Sequence, residues 1–221
     1  MKKRFATLAT VLLLSGTVQA DVETSFTYGG IYKSLKTAQS SEFSQLSLNF
    51  VLLENTTKTL CPTSDVYLSD GENRYDISMS DDGELLIPLD KKLKKDRATI
   101  TLKTPKANMC HLSMQIEVAE FELENTSSRN VKSWVKQLNG LYETLAGWPG
   151  KYFMPELTGL VLEFEANGTS AVYRSVTGDQ TFKVDSDGKL NLSVDTINAL
   201  DTSGKFVFSQ SVVAAKPILE K

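Results

Sequence analysis

The sequence predicts a mainly β protein, a β-rich α+β fold of two sandwich-like β-modules joined by one amphipathic helix. Three observations carry this. Short alternating apolar segments recur at spacings of about ten residues, with turn-rich clusters between them. Helical periodicity appears in one long stretch, within Ser127 to Ala146. A strand–turn–strand pattern occurs in both halves of the chain.

The first element is expected to be an export signal rather than part of the mature chain. Lys2, Lys3 and Arg4 form a basic start, and Phe5 to Leu14 is almost wholly apolar. Val18-Gln19-Ala20 then offers small residues where signal peptidase reads them, so residues 1–20 are expected to be a signal peptide cleaved after Ala20. The apolar run is well short of the ~20 residues that cross a bilayer. No cysteine follows it, which argues against a lipid anchor. The mature chain is expected to be periplasmic or secreted, with no further membrane span.

The first β-module, 21–124, opens with the alternating Val22 to Tyr28 and a helical turn around Ile31, Tyr32 and Leu35. From Leu46 onward, Leu46, Leu48, Phe50 and Leu52 take every second position, the period of a strand with one buried face. Further strands are expected at Val66 to Leu68, Tyr75 to Met79, Leu85 to Pro88, Thr99 to Leu102 and Leu112 to Val118. Ser69-Asp70-Gly71 and Ser80-Asp81-Asp82-Gly83 are turns. Within the linking helix, 125–149, Val131, Trp134, Val135, Leu138, Leu141, Tyr142 and Leu145 fall on one stripe. Asn125 to Ser128 supply N-cap candidates, and Gly147 with Pro149-Gly150 stops the helix.

The second module, 150–221, resumes strands at Leu160 to Phe164, Ala171 to Arg174, Thr181 to Val184, Leu190 to Val194, Phe206 to Ser209 and Val212 to Leu219. Pro217 suits an edge strand or a strand end. Ile77 to Asp90 and Phe182 to Asp195 share one grammar: strand, Asp-Gly turn, strand, then an apolar residue and Asp. Ile100 and Leu102 match Phe206 and Phe208 with a one-residue slip, and Val66-Tyr67 mirrors Val172-Tyr173. This register suggests a duplicated β-module.

Charge and composition exclude several function classes. The net charge is −3, and loss of the three basic residues of the signal takes it to −6. Such a surface has no electrostatic footprint for nucleic acid or anionic lipid. Cys61 and Cys110 are the two cysteines, and in an oxidising compartment they read most simply as a disulfide. A metal or redox site beside His111 lacks support, because His111 is the single histidine and a closed zinc site needs four ligands. The same count argues against a hydrolytic triad, and no Gly-x-Ser-x-Gly elbow is present. Asp81-Asp82-Gly83 and Asp185-x-Asp187-Gly188 lack the closing glutamate of a calcium loop and are explained as hairpin turns. No cofactor or metal is expected.

One stretch departs from the strand–turn pattern: Gly147 to Glu156, dense in aromatics and prolines. Its side chains either plug the gap between helix and sheets or form a docking patch of Trp148, Tyr152, Phe153 and Met154.

Three motifs together, Gly83-Glu84-Leu85-Leu86-Ile87-Pro88-Leu89-Asp90, Cys110-His111-Leu112-Ser113-Met114-Gln115-Ile116 and Lys151-Tyr152-Phe153-Met154-Pro155-Glu156-Leu157, carry a resemblance. The chain resembles a family of exported gammaproteobacterial proteins known only as a domain of unknown function. The resemblance implies a periplasmic bacterial setting and brings no active site. The expected function is a non-catalytic periplasmic binding or accessory module that engages an envelope protein or a small ligand. The alternatives are a hydrolase with an unrecognised carboxylate site and a carrier of an apolar ligand.

Overall fold

The computed structural model describes residues 21–63, 65–106 and 109–220, so the expected signal segment, 1–20, lies outside the described residues. The alternation of the sequence becomes strands with one buried face. Strand β2 (Leu46–Glu54) buries Leu46, Leu48, Phe50 and Leu52 and pairs antiparallel with β6 (Cys110–Val118), Leu48 opposite Ile116. The remaining elements of the first half are β1 (Val22–Thr27), α1 (Tyr28–Ala38), β3 (Asp65–Ser69), β4 (Arg74–Asp76), α2 (Lys91–Lys95) and β5 (Thr99–Thr104). The second half holds α3 (Ser128–Gly150), β7 (Glu156–Phe164), β8 (Ala171–Ser175), β9 (Gly178–Phe182), β10 (Lys189–Ser193), α4 (Val194–Ala199), β11 (Lys205–Phe208) and β12 (Val212–Glu220).

The pairing scheme occurs twice. In the first set, Glu84 and Leu85 lie along β2, which pairs on its other side with β6. In the second set β10 lies along β7, which pairs with β12. The flanking sheets run β4-β3-β5 and β9-β8-β11, and β1 extends the first of them beyond β5. A short helix, α2 or α4, precedes β5 or β11, and a longer one, α1 or α3, opens each set. The cross-strand partners make Ile77 equivalent to Phe182, Leu85 to Leu190, and Ile100 to Phe206. This is the register read in the sequence, with one correction. Leu68 stands opposite Ile100 and Tyr173 opposite Phe206, so Leu68, not Tyr67, is the counterpart of Tyr173.

Several elements differ in extent from the sequence reading. The turn expected near Ile31 is an eleven-residue helix, α1, that buries Tyr28, Ile31 and Tyr32. Leu85 to Pro88 forms no full strand; only Glu84 and Leu85 bridge, and Pro88, without an N–H, cannot extend the ladder. Val194, expected to end a strand, starts α4, because the Ser193 hydroxyl accepts from the Thr196 N–H (3.1 Å) and caps a helix there.

One hydrophobic cluster includes residues from Tyr28 to Ala215. At its centre the stripe of α3 places Val131, Trp134, Leu138 and Leu141 at 0% exposure. The helix packs against β2 and β6 of the first set and β7 and α4 of the second. It starts at a Ser127 hydroxyl that accepts from the Asn130 N–H (3.2 Å). Helical geometry breaks at Gly147, whose φ of 63° is the left-handed conformation that glycine adopts without cost. The edge strands β6 and β12 come within 8 Å of each other, and no ladder joins them among the described residues.

Candidate functional site

Two surfaces stand out, one on each side of this frame. The first follows from an inequality between the sets. Tyr28 and Ser128 open equivalent helices, and Phe50 and Leu162 are equivalent through their pairing with Leu85 and Leu190. From Tyr28 to Phe50 is 22 positions and from Ser128 to Leu162 is 34, so the second set holds 12 residues more. Eight of them extend α3 as far as Ala146, two lie at the start of β7, and the connection between, 147–155, has nine residues where 39–45 of the first set has seven. At its tip Trp148 is 82% exposed, Tyr152 70% and Phe153 86%, while Met154 is half-buried. Side chains this exposed touch little of their own protein, so they do not plug a gap between helix and sheets. The Lys151 ammonium sits 5.3 Å from the Tyr152 ring centre, at cation–π range.

The second surface is the groove at the seam between β6 and β12. The core-facing positions alternate with outward ones, so Asn49, Glu117, Glu163 and Lys216 share the face away from α3. Asp82 and Glu84, at the turn beside β2, line the same groove. The Asn49 amide, oriented so that its nitrogen rather than its oxygen faces these acceptors, donates to Glu84 (2.9 Å) and to the Leu48 carbonyl (3.1 Å). Glu163 accepts from Lys216 (2.7 Å) and lies 3.2 Å from Lys189. Burial pushes its carboxyl up, but the two ammonium groups outweigh this and hold it below the ordinary range. Glu117 is the opposite case. Burial raises its carboxyl, Lys216 offsets part of the effect, and the charges of Glu84 and Glu163 add to it. Burial and Asp82 raise Glu84 as well. The groove thus holds two carboxyls shifted upward beside one shifted downward.

A family model described as "Protein of unknown function (DUF2987)" matches residues 20–164, more than half of the chain. The chain belongs to this family. No curated protein and no solved structure matches it. The DUF2987 match runs from β1 through β7, so it takes in the aromatic tip, Glu84, Glu117 and Glu163, and stops before Lys189 and Lys216.

In this DUF2987 protein Cys61 and Cys110 form a disulfide, their Cα atoms 5.9 Å apart. The thiols beside His111 are therefore bonded to each other. Asp185 accepts at one oxygen from the N–H groups of Asp187 (3.0 Å) and Lys189 (2.8 Å), which accounts for that turn by local hydrogen bonding. Among the described residues, no group of three or more His, Cys, Asp or Glu is placed to hold a metal ion. No helix among them is long and apolar enough to cross a membrane. The groove has no signature in the sequence, since its residues come from five distant segments and no local spacing marks them.

Proposed function

We propose that this protein is a non-catalytic binding or accessory module of an exported compartment, and that it docks through the tip formed by Trp148, Tyr152 and Phe153. One observation carries the reading: three aromatic side chains, 70–86% exposed, stand together at the end of a helix longer than its first-set counterpart. In the equivalent connection of the first set, 39–45, the single aromatic, Phe43, is buried, so the frame does not require projecting aromatics there. Exposed aromatics cost solubility, and large projecting ones are the anchors that concave apolar surfaces on partners receive. The N-terminal pattern of Lys2 to Ala20 and the disulfide support the compartment, a periplasm or external medium.

The test is recovery of cross-linked partners from native envelope with the mature protein, comparing wild type with Trp148→Ala plus Phe153→Ala. Loss of a specific partner in a variant that melts within about 2 °C of wild type supports the reading. Equal recovery would sink it.

A second reading, a hydrolase that uses acid–base carboxyls, is favoured by the seam groove, where Glu117 and Glu163 are shifted in opposite directions. Hydrolysis of a glycan or peptide panel that Glu117→Gln abolishes, with the tip variant unaffected, would put this reading first.

A further inference from the structure

The repeat exposes a position that is filled in the first set and open in the second. The Tyr28 N–H donates to the Ala98 carbonyl and the Ser128 N–H to the Gly204 carbonyl, both at 3.0 Å. Next, Thr27 stands opposite Thr99, and Ser127 opposite Lys205. Phe26 stands opposite Ile100, and the Phe206 N–H donates to the Thr126 carbonyl (3.1 Å). There the likeness stops. β1 continues along β5, with Thr24 opposite Leu102 and Val22 opposite Thr104.

In the second set the chain leaves the edge at Asn125, whose N–H donates to the Glu122 carbonyl (3.1 Å) in a 3-10 turn. Gln45 holds that turn toward the start of β2. Its carbonyl accepts from the Ala119 N–H (2.9 Å), and its side-chain amide donates to Glu122 (2.8 Å).

The edge of β11 is left open as a result. In an antiparallel strand, alternate residues turn their N–H and C=O groups to opposite sides. The Ser209 N–H donates inward, to Ser170 on the β8 side (3.2 Å), whereas the Phe206 N–H points outward. The Phe206 carbonyl and both backbone groups of Phe208 therefore face outward, where no backbone group among the described residues pairs with them. Burial records the same difference. Leu102, under β1, is 0% exposed; its counterpart Phe208 is half-buried, and Ser209 and Gln210 beyond it are exposed.

We propose that the outer edge of β11, from Phe206 to Phe208, is a strand-addition site that takes an extended segment of a partner polypeptide where β1 would lie. The first set supplies the template. β1 runs antiparallel to β5 and turns Val22, Thr24 and Phe26 toward the protein while Glu23, Ser25 and Thr27 face water. The segment that fits is an extended one with apolar or β-branched residues at every second position, main-chain bonds giving affinity and alternate side chains giving selection. The site shares no residue with the aromatic tip and stands or falls independently of it.

The probe is a peptide of the chain's own Asp21–Thr27 sequence, added at millimolar concentration to the full mature chain and followed by amide NMR and hydrogen exchange. In the free protein the Phe208 amide should exchange at least about tenfold faster than the Leu102 amide. With peptide, it should slow and its resonance shift, with Leu102 unchanged. A Phe208 amide as protected as that of Leu102 in the free protein would overturn the proposal. So would an unchanged spectrum with peptide, or a response confined to β5. Shifts at Phe208 that grow with protein concentration alone would assign the edge to a second copy and equally refute a foreign partner.

Discussion

Gln45 and Gln137 exchange hydrogen bonds across 92 positions of sequence: the Gln45 N–H donates to Gln137 Oε1 (3.1 Å), and Gln137 Nε2 donates back to Gln45 Oε1 (2.7 Å). The same Gln45 oxygen accepts from the Ser133 hydroxyl (2.5 Å). The pair therefore fixes α3 against the loop that leads into β2. Gln45→Ala or Gln137→Ala should each cost about 1–3 kcal/mol, since each leaves half-buried partners unmatched. The double variant should cost less than the sum, and a denaturant double-mutant cycle measures the difference. Simple additivity would show that the two residues act separately.

The disulfide closes a loop of 49 residues within the first set only. By the chain-entropy argument, Cys61→Ser with Cys110→Ser should lower the unfolding free energy by about 4 kcal/mol. Urea unfolding of the double variant against wild type reads this directly. A loss well under about 1 kcal/mol would mean that the unfolded chain is already restrained.

Stability should depend on pH in two opposite ways at the seam. Glu117 is raised in the folded state, so its contribution is full below the ordinary glutamate value of about 4.3 and is lost as pH rises through the higher folded value. Glu117→Gln should therefore be more stable than wild type at pH 7, with the gain shrinking as the solution is acidified. Glu163 is lowered, so its contribution is present above the ordinary value and is lost as pH falls through the lower one. Glu163→Gln should be less stable at neutral pH, and this deficit should close in acid. Urea midpoints of the three proteins across the acid range check both slopes.

The second set depends on α3 for its core. A fragment of residues 150–221 lacks Val131, Trp134, Leu138 and Leu141, all fully buried in the intact chain. It should show no cooperative thermal transition by circular dichroism. A fragment of 125–220 would still lack the first-set surface against which α3 packs, and should melt well below the whole protein. Cooperative folding of 150–221 alone would refute this dependence.

The sequence displayed the strands whose alternation is uninterrupted, and the stripe of α3, because one-sided burial dictates both patterns. It also displayed the repeat, because equivalent places in two equal frames demand similar residues. α1 runs longer than the sequence predicts: Gly29 and Gly30 in its first turn signal a turn locally, while the burial of Tyr28, Ile31 and Tyr32 that holds the helix is a long-range fact. The aromatic tip could be named but not placed, since Trp148, Tyr152 and Phe153 have the same composition whether they fill a gap or project from one. What decides is their exposure, 70–86%, which depends on where distant segments of the chain come to lie. The seam groove has no local signature at all. It exists because two edge strands, 94 positions apart between Val118 and Val212, stop beside each other without pairing.

The two tryptophans of the chain divide the molecule between them. Trp134 is sealed in the core at 0% exposure, and Trp148 stands in solvent at 82%. Their emission should accordingly split into a blue, quencher-resistant component and a red, quencher-accessible one. Loss of the first reports unfolding, and a blue shift of the second reports occupancy of the tip. The protein thus carries an unlabelled, internally referenced sensor, able to tell a bound state from a damaged one in a single spectrum.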